Sequence, residues 1–212
     1  MYDDYYINKG FSVKDFYDKS KTSNNIGLQA LINQDGYRLD GSYQYAKAAQ
    51  DSSHRTNVKL VITKQLESIR NNGDFSEYGQ QISFSTVNSL KNSLRLCKEN
   101  GIYVIGLFVP RPTLIYQELV NKNYKYNKMV NELPIEIGKA FSENGFSFYD
   151  FSDIQVLNAD DNEFIDWIHP SDKMYLRMSI YMAAHDKQFN KYVNINKLKD
   201  LLLNTKGDML KI

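Results

Sequence analysis

Two Asp-x-x-His pairs stand out among the residues able to do chemistry, Asp51 with His54 and Asp166 with His169. At this spacing a carboxylate can bond one imidazole nitrogen and leave the other facing a cleft. That is the supporting half of a nucleophilic triad: Asp fixes the tautomer and stabilises the imidazolium, while His takes a proton from a serine. Two of the three histidines carry an Asp three positions earlier, so spacing alone does not separate catalysis from a capping or surface role. Context favours the second pair. It follows a strand of α/β type and abuts Pro170, which opens a helix with Tyr175, Met178 and Met182 on one stripe; the first pair follows no clear strand.

Other residues admit two readings each. Arg111, between Pro110 and Pro112 at a strand end, either faces an anionic or ester group or is a solvated loop arginine. Trp167 either lines a cleft beside His169 or packs. Arg38 could bridge Asp35 and Asp40. Cys97 lies on the apolar stripe of a helix and reads as core, and His185 near a helix C-terminus suits the helix dipole. Asp150, Asp153, Asp160 and Asp161 gather near His169, which admits metal-dependent hydrolysis, but no spacing such as His-x-x-x-His supports a metal. No cofactor is implied.

The elements that must position these residues follow from apolar periodicity and breakers. Ser12 to Asp15 reads as the capped start of a helix ending near Ser20, and polar residues 21–25 as a loop. Two Asp-Gly pairs between Asp35 and Ser42 predict an ordered loop or hairpin. Val58, Ile62, Leu66 and Ile69 give a helix over about 56–71 that stops at Asn72-Gly73. Ser85 is placed to cap a second helix bearing Val87, Leu90, Leu94 and Cys97, ended by Gly101. The apolar run Ile102 to Val109 then has the pattern of a strand covered on both faces. Pro112 opens a helix through Leu119; more helix spans about 124–143, interrupted near Pro134 and closed by Gly145. Residues 146–151 form a second strand, delivering Asp150, Ser152 and Asp153 to a loop. Residues 194–203 make a terminal amphipathic helix. Helix–strand–helix–strand order predicts a parallel sheet, whose ligands bind beyond the carboxyl ends of the strands, after Val109 and after Phe151.

Composition narrows the partners. Lys and Arg number 26 against 25 Asp and Glu, so no global field recruits nucleic acid or an anionic membrane. The longest apolar run, Ile102 to Pro110, is too short to cross a bilayer of about 30 Å, and the N-terminus shows no basic and apolar leader pattern. The chain as it stands is expected to be soluble, in one domain over residues 1–212. Sixteen tyrosines and eleven phenylalanines allow a surface that stacks on sugars.

Phe148-Tyr-Asp-Phe-Ser-Asp153 followed by Asp166-Trp-Ile-His169-Pro-Ser resembles the C-terminal block of SGNH/GDSL-type hydrolases. There an Asp-x-x-His near the chain end supplies two triad members. Residues 35–42, Asp-Gly-Tyr-Arg-Leu-Asp-Gly-Ser, resemble bacterial members linked to cell-envelope acyl transfer, so the likeness runs from about residue 25 to 185. The resemblance implies a three-layer α/β/α fold with a mainly parallel, flavodoxin-like sheet. It further implies a serine esterase or O-acyltransferase acting on small-molecule or glycan acyl esters, with His169 and Asp166 catalytic and location tilted to the envelope. The family opens with an apolar strand ending in Gly-Asp-Ser, whose serine attacks. Residues 1–24 contain no such block, which leads to the expectation of a domain incomplete at its N-terminus and inactive alone. Ser42, in Asp40-Gly-Ser42, is the one local imitation of the missing nucleophile. The alternative is a non-catalytic α/β module that binds a glycan or protein.

Overall fold

The chain divides into two compact units, Met1–His54 and Arg55–Ile212. The structure is a computed structural model and describes residues 13–27, 30–31, 35–44, 54–71 and 81–204. In the first unit α1 (Val13–Ser20) ends where the amides of Thr22 and Ser23 bond the Lys19 carbonyl; its expected cap, Ser12, lies outside the described residues. The Asp-Gly stretch folds as the expected hairpin, with β1 (Gly36–Tyr37) antiparallel to β2 (Tyr43–Gln44). Gly41 takes the positive φ of 84° that its turn requires, and the Tyr37 and Tyr43 rings meet edge to face at 5.1 Å.

The described part of the second unit holds six α-helices, a parallel strand pair and three short 3-10 turns, Ile154–Leu157, Asp161–Glu163 and Phe189–Lys191. In order the helices and strands are α2 (His54–Arg70, starting at the boundary), α3 (Phe84–Glu99), β3 (Ile105–Phe108), α4 (Thr113–Val120), α5 (Asn127–Glu143), β4 (Ser147–Asp150), α6 (Asp172–His185) and α7 (Ile195–Asn204). The expected Asn72-Gly73 stop lies outside the described residues. One device feeds both strands. After α3, the Ile102 amide bonds the Cys97 carbonyl and the Gly101 amide bonds Lys98, with Gly101 at φ 68°; after α5, Phe146 bonds Phe141 and Gly145 bonds Ser142, with Gly145 at φ 77°. These paired bonds satisfy the last carbonyls of a helix and turn the chain directly into a strand.

β3 and β4 pair in parallel from Ile105 with Ser147 to Phe108 with Asp150. Side chains alternate along such strands. Ile105, Tyr149 and Phe151 pack with Val58 and Ile62 of α2, Ile115 and Leu119 of α4, and Met174, Met178 and Met182 of α6. Val104, Phe146 and Phe148 pack instead with Leu90 and Leu94 of α3 and Ile137, Ala140 and Phe141 of α5. Gly106 sits where a Cβ would lie 2.4 Å from Phe141 Cζ, so this position has no room for a side chain.

Several expectations shift. The first strand is shorter than Ile102 to Val109, and Leu107 and Val109 are 36% and 39% exposed rather than fully covered. Ser83, not Ser85, caps α3, accepting from the Thr86 amide one turn on. α5 runs unbroken through Pro134, since removing one N–H costs a single hydrogen bond with the Val130 carbonyl. Pro170 does not open α6; the buried Ser171 caps it, accepting from the Met174 amide. The buried stripe of α6 is therefore Met174, Met178 and Met182, and Tyr175 turns outward. No helix among the described residues is long and apolar enough to cross a membrane.

Candidate active site at the Asp166–His169 turn

The acidic stretch after β4 is a run of backbone caps. In four of its Asp residues one carboxylate oxygen accepts the amide two residues on: Asp150 from Ser152 at 2.9 Å, Asp153 from Gln155 at 3.0 Å, Asp160 from Asn162 at 2.7 Å, and Asp166 from Ile168 at 2.8 Å. Short polar side chains make such turns because they replace backbone acceptors locally. Asp161 reaches further, accepting from the Thr113 amide at 2.7 Å and hydroxyl at 3.0 Å, and so caps α4 from another part of the chain. Among the described residues no group of three or more His, Cys, Asp or Glu is arranged to hold a metal ion.

Asp166 does more than its neighbours. Oδ1 takes the amides of Ile168 and His169, both at 2.8 Å, which aims Oδ2 at His169 Nδ1, 2.7 Å away. An ionised carboxylate only accepts hydrogen bonds, so Nδ1 is the donor, and in the neutral ring Nε2 is the nitrogen left with a lone pair. Burial pushes the Asp166 carboxyl up, but the bonds from the His169 ring and the two amides outweigh it and hold the group below the usual carboxylate range. The imidazole side chain is 57% exposed.

Buried groups clamp this turn in place. The Ile165 amide bonds the His169 carbonyl at 2.8 Å, Phe164 and Pro170 pair as an antiparallel bridge, and the Ser171 amide bonds the Glu163 carbonyl at 2.9 Å. Phe164 is fully buried, and Glu163, 2% exposed, takes a two-pronged bond from Arg177 of α6 at 2.8 and 2.9 Å, with Lys173 at 3.5 Å. Sequence reading passed over Glu163 and Arg177 because the pair spans fourteen residues and follows no helical spacing.

The other expected residues fall as follows. Beyond Phe108 the strands continue to converge, since the Arg111 amide bonds the Ser152 carbonyl at 3.2 Å and Arg111 bridges Asp153 in parallel. Arg111 and Ser152 border a cleft of about 250 Å³ with Val109, Tyr116 and Leu133. Thr113, capped by Asp161, is two residues past Arg111, so the loop that carries the dyad is tied to the carboxyl end of β3. Trp167 is half-buried and packs on the larger apolar cluster. Ser42 belongs to the first unit, where its hydroxyl donates to Asp40 Oδ1 at 2.7 Å and accepts from Arg38 at 3.0 Å, both within its own turn. Arg38 thus bonds the serine directly and reaches Asp40 only through its charge. The side chains of Asp51 and His54 lie outside the described residues.

No protein-family model, curated protein or solved structure matches this chain.

Proposed function

We propose that the chain carries an SGNH-type domain, its sheet layered between helices in flavodoxin-like fashion, of the kind that hydrolyses or transfers acyl esters of carbohydrate or envelope polymers, and that what this chain retains is the base that transfers an acyl group to an added hydroxyl. The observation that supports this best is the 2.7 Å bond from Asp166 Oδ2 to His169 Nδ1, in a loop tied through Asp161 to the carboxyl end of a parallel strand. In this reading Nε2 removes the proton of an attacking hydroxyl as its oxygen adds to the ester carbonyl. Asp166 stabilises the imidazolium, which returns the proton to the leaving alcohol when the tetrahedral adduct breaks. Arg111 and Trp167 are the proposed substrate contacts.

The non-catalytic reading has one observation in its favour. Asp166 also caps its own turn, which orients His169 whether or not the ring reacts.

The experiment is turnover of short-chain aryl esters by the purified chain, with and without a small alcohol such as glycerol as acceptor. Hydrolysis without the alcohol should be at background, because among the described residues no hydroxyl bonds the His169 ring, and a base without a positioned hydroxyl lacks the proximity contribution. Acyl transfer to glycerol should exceed the solution rate and be lost in His169→Ala but kept in Ser42→Ala. Robust hydrolysis abolished by both substitutions identifies Ser42 as the nucleophile; transfer indifferent to His169 supports the binding module.

A further inference from the structure

The dyad stands on a turn with a buried base and an open tip. Phe164, Pro170 and Ser171 are buried at the base, while the His169 side chain is 57% exposed at the tip. Its Nδ1 is held by Asp166 Oδ2 at 2.7 Å, and among the described residues no side chain bonds Nε2. Base catalysis from this position needs a hydroxyl brought to Nε2, whereas nucleophilic attack needs only the lone pair already there. The same chain holds a comparison. His185, also exposed, donates from Nδ1 to the Tyr181 carbonyl at 2.8 Å and stacks on the Tyr181 ring at 4.2 Å. A carbonyl only accepts, so in the neutral form both rings have Nδ1 protonated and Nε2 free. They differ in the partner. Only the carboxylate opposes a full charge to the positive charge that a ring gains when Nε2 bonds carbon.

We propose that His169 Nε2 is itself a nucleophile, carrying the acyl group as an N-acylimidazole between donor ester and hydroxyl acceptor; this rests on the acyl-transfer reading above. In the first step the Nε2 lone pair adds to the ester carbonyl, and the bond to the donor group breaks, that group leaving with its electron pair. The acylated ring then releases its Nδ1 proton to solvent. In the second step the acceptor oxygen adds to the acyl carbon and the C–N bond breaks, returning its pair to Nε2. The acceptor's proton ends on Nδ1 and restores the bond to Asp166. Atoms and charge balance without a further reactant. The route also selects the donor: imidazole displaces weakly basic leaving groups, so the donor is an activated ester, an aryl ester or a thioester, and the alcohol enters only as acceptor.

The test mixes the whole chain with 4-nitrophenyl acetate near neutral pH. Without glycerol, nitrophenolate should appear as a burst approaching about one equivalent per chain and then fall to the background rate; with glycerol, release should continue. His169→Ala should lose the burst and His185→Ala should keep it. The reacting ring is read separately with diethyl pyrocarbonate, whose adduct on imidazole survives peptide mapping. His169 should be modified at least about tenfold faster than His185, and Asp166→Asn should bring it down to the rate of His185 while His185 itself is unchanged. Equal modification of the two rings in the parent chain, or a burst that survives His169→Ala, overturns the inference. Transfer to glycerol that depends on His169 but shows no burst overturns it too, leaving Nε2 as a base and the activity reading intact. An adduct on His169 that glycerol does not discharge overturns the inference and the acyl-transfer reading together.

Discussion

Asp166 and Asp186 show how one residue type is put to two uses. Asp186 is 6% exposed and accepts from Tyr103 and Ser147 through Oδ2, and from the amides of Gln188 and Phe189 through Oδ1. All of its acceptor capacity closes the end of α6 against the start of the strand pair, so it is structural. Burial raises the Asp186 carboxyl, but these bonds prevail and hold it below the usual range. Tyr103 is pushed up to about 12, by burial first and then by Asp186. The signs give a window. A depressed carboxyl contributes stability above the unfolded value of about 3.9 and loses it as pH falls further. A raised tyrosine contributes below about 10 and loses it as pH climbs toward 12. Asp186→Asn should cost about 2 kcal/mol at neutral pH and flatten the acid limb of a plot of thermal midpoint against pH. An unchanged acid limb would show that Asp186 does not set it. The bond of Asp166 to His169 is legible in their spacing, whereas the contacts of Asp186 are not, because its partners are 39 and 83 residues away.

Elements were legible where termination is local. Gly101 and Gly145 stop their helices as read, because a left-handed residue after an asparagine cap is a short-range requirement. The start of α6 was misread because Pro170 carries the local signal, whereas Ser171, buried beside the Glu163 backbone, makes the bond. Pro134 was read as a break, yet its neighbours in α5 pack on β4 and outweigh one lost bond. Pro134→Ala restores a donor to the Val130 carbonyl and should raise the urea midpoint by the equivalent of about 1 to 3 kcal/mol; a lower midpoint would mean that the ring itself stabilises α5. Glu163→Gln leaves Arg177 and Lys173 beside a neutral, buried partner. It should lower stability by about 3 kcal/mol with the urea m-value unchanged. A loss under 1 kcal/mol would show that the clamp on the dyad turn lies elsewhere.

At the scale of the whole molecule, the place of the parallel pair between two apolar clusters follows from the continuous apolar run over residues 102–109, which the sequence displays, and from the alternation of side chains along β3 and β4, which sends neighbours to opposite clusters. The clamp that holds the candidate site is assembled from distant residues, Asp161 on Thr113 and Glu163 on Arg177, and has no local signature. The account therefore depends on whether a rigidly held Asp166–His169 pair acts as one base. The direct measurement is the rate of acyl transfer from an aryl ester to glycerol by the parent chain, Asp166→Asn, His169→Ala and the double variant. The account predicts that His169→Ala loses about 10²-fold or more, that Asp166→Asn also loses rate, and that the double variant is no slower than His169→Ala. Equal rates in the parent chain and His169→Ala would contradict it.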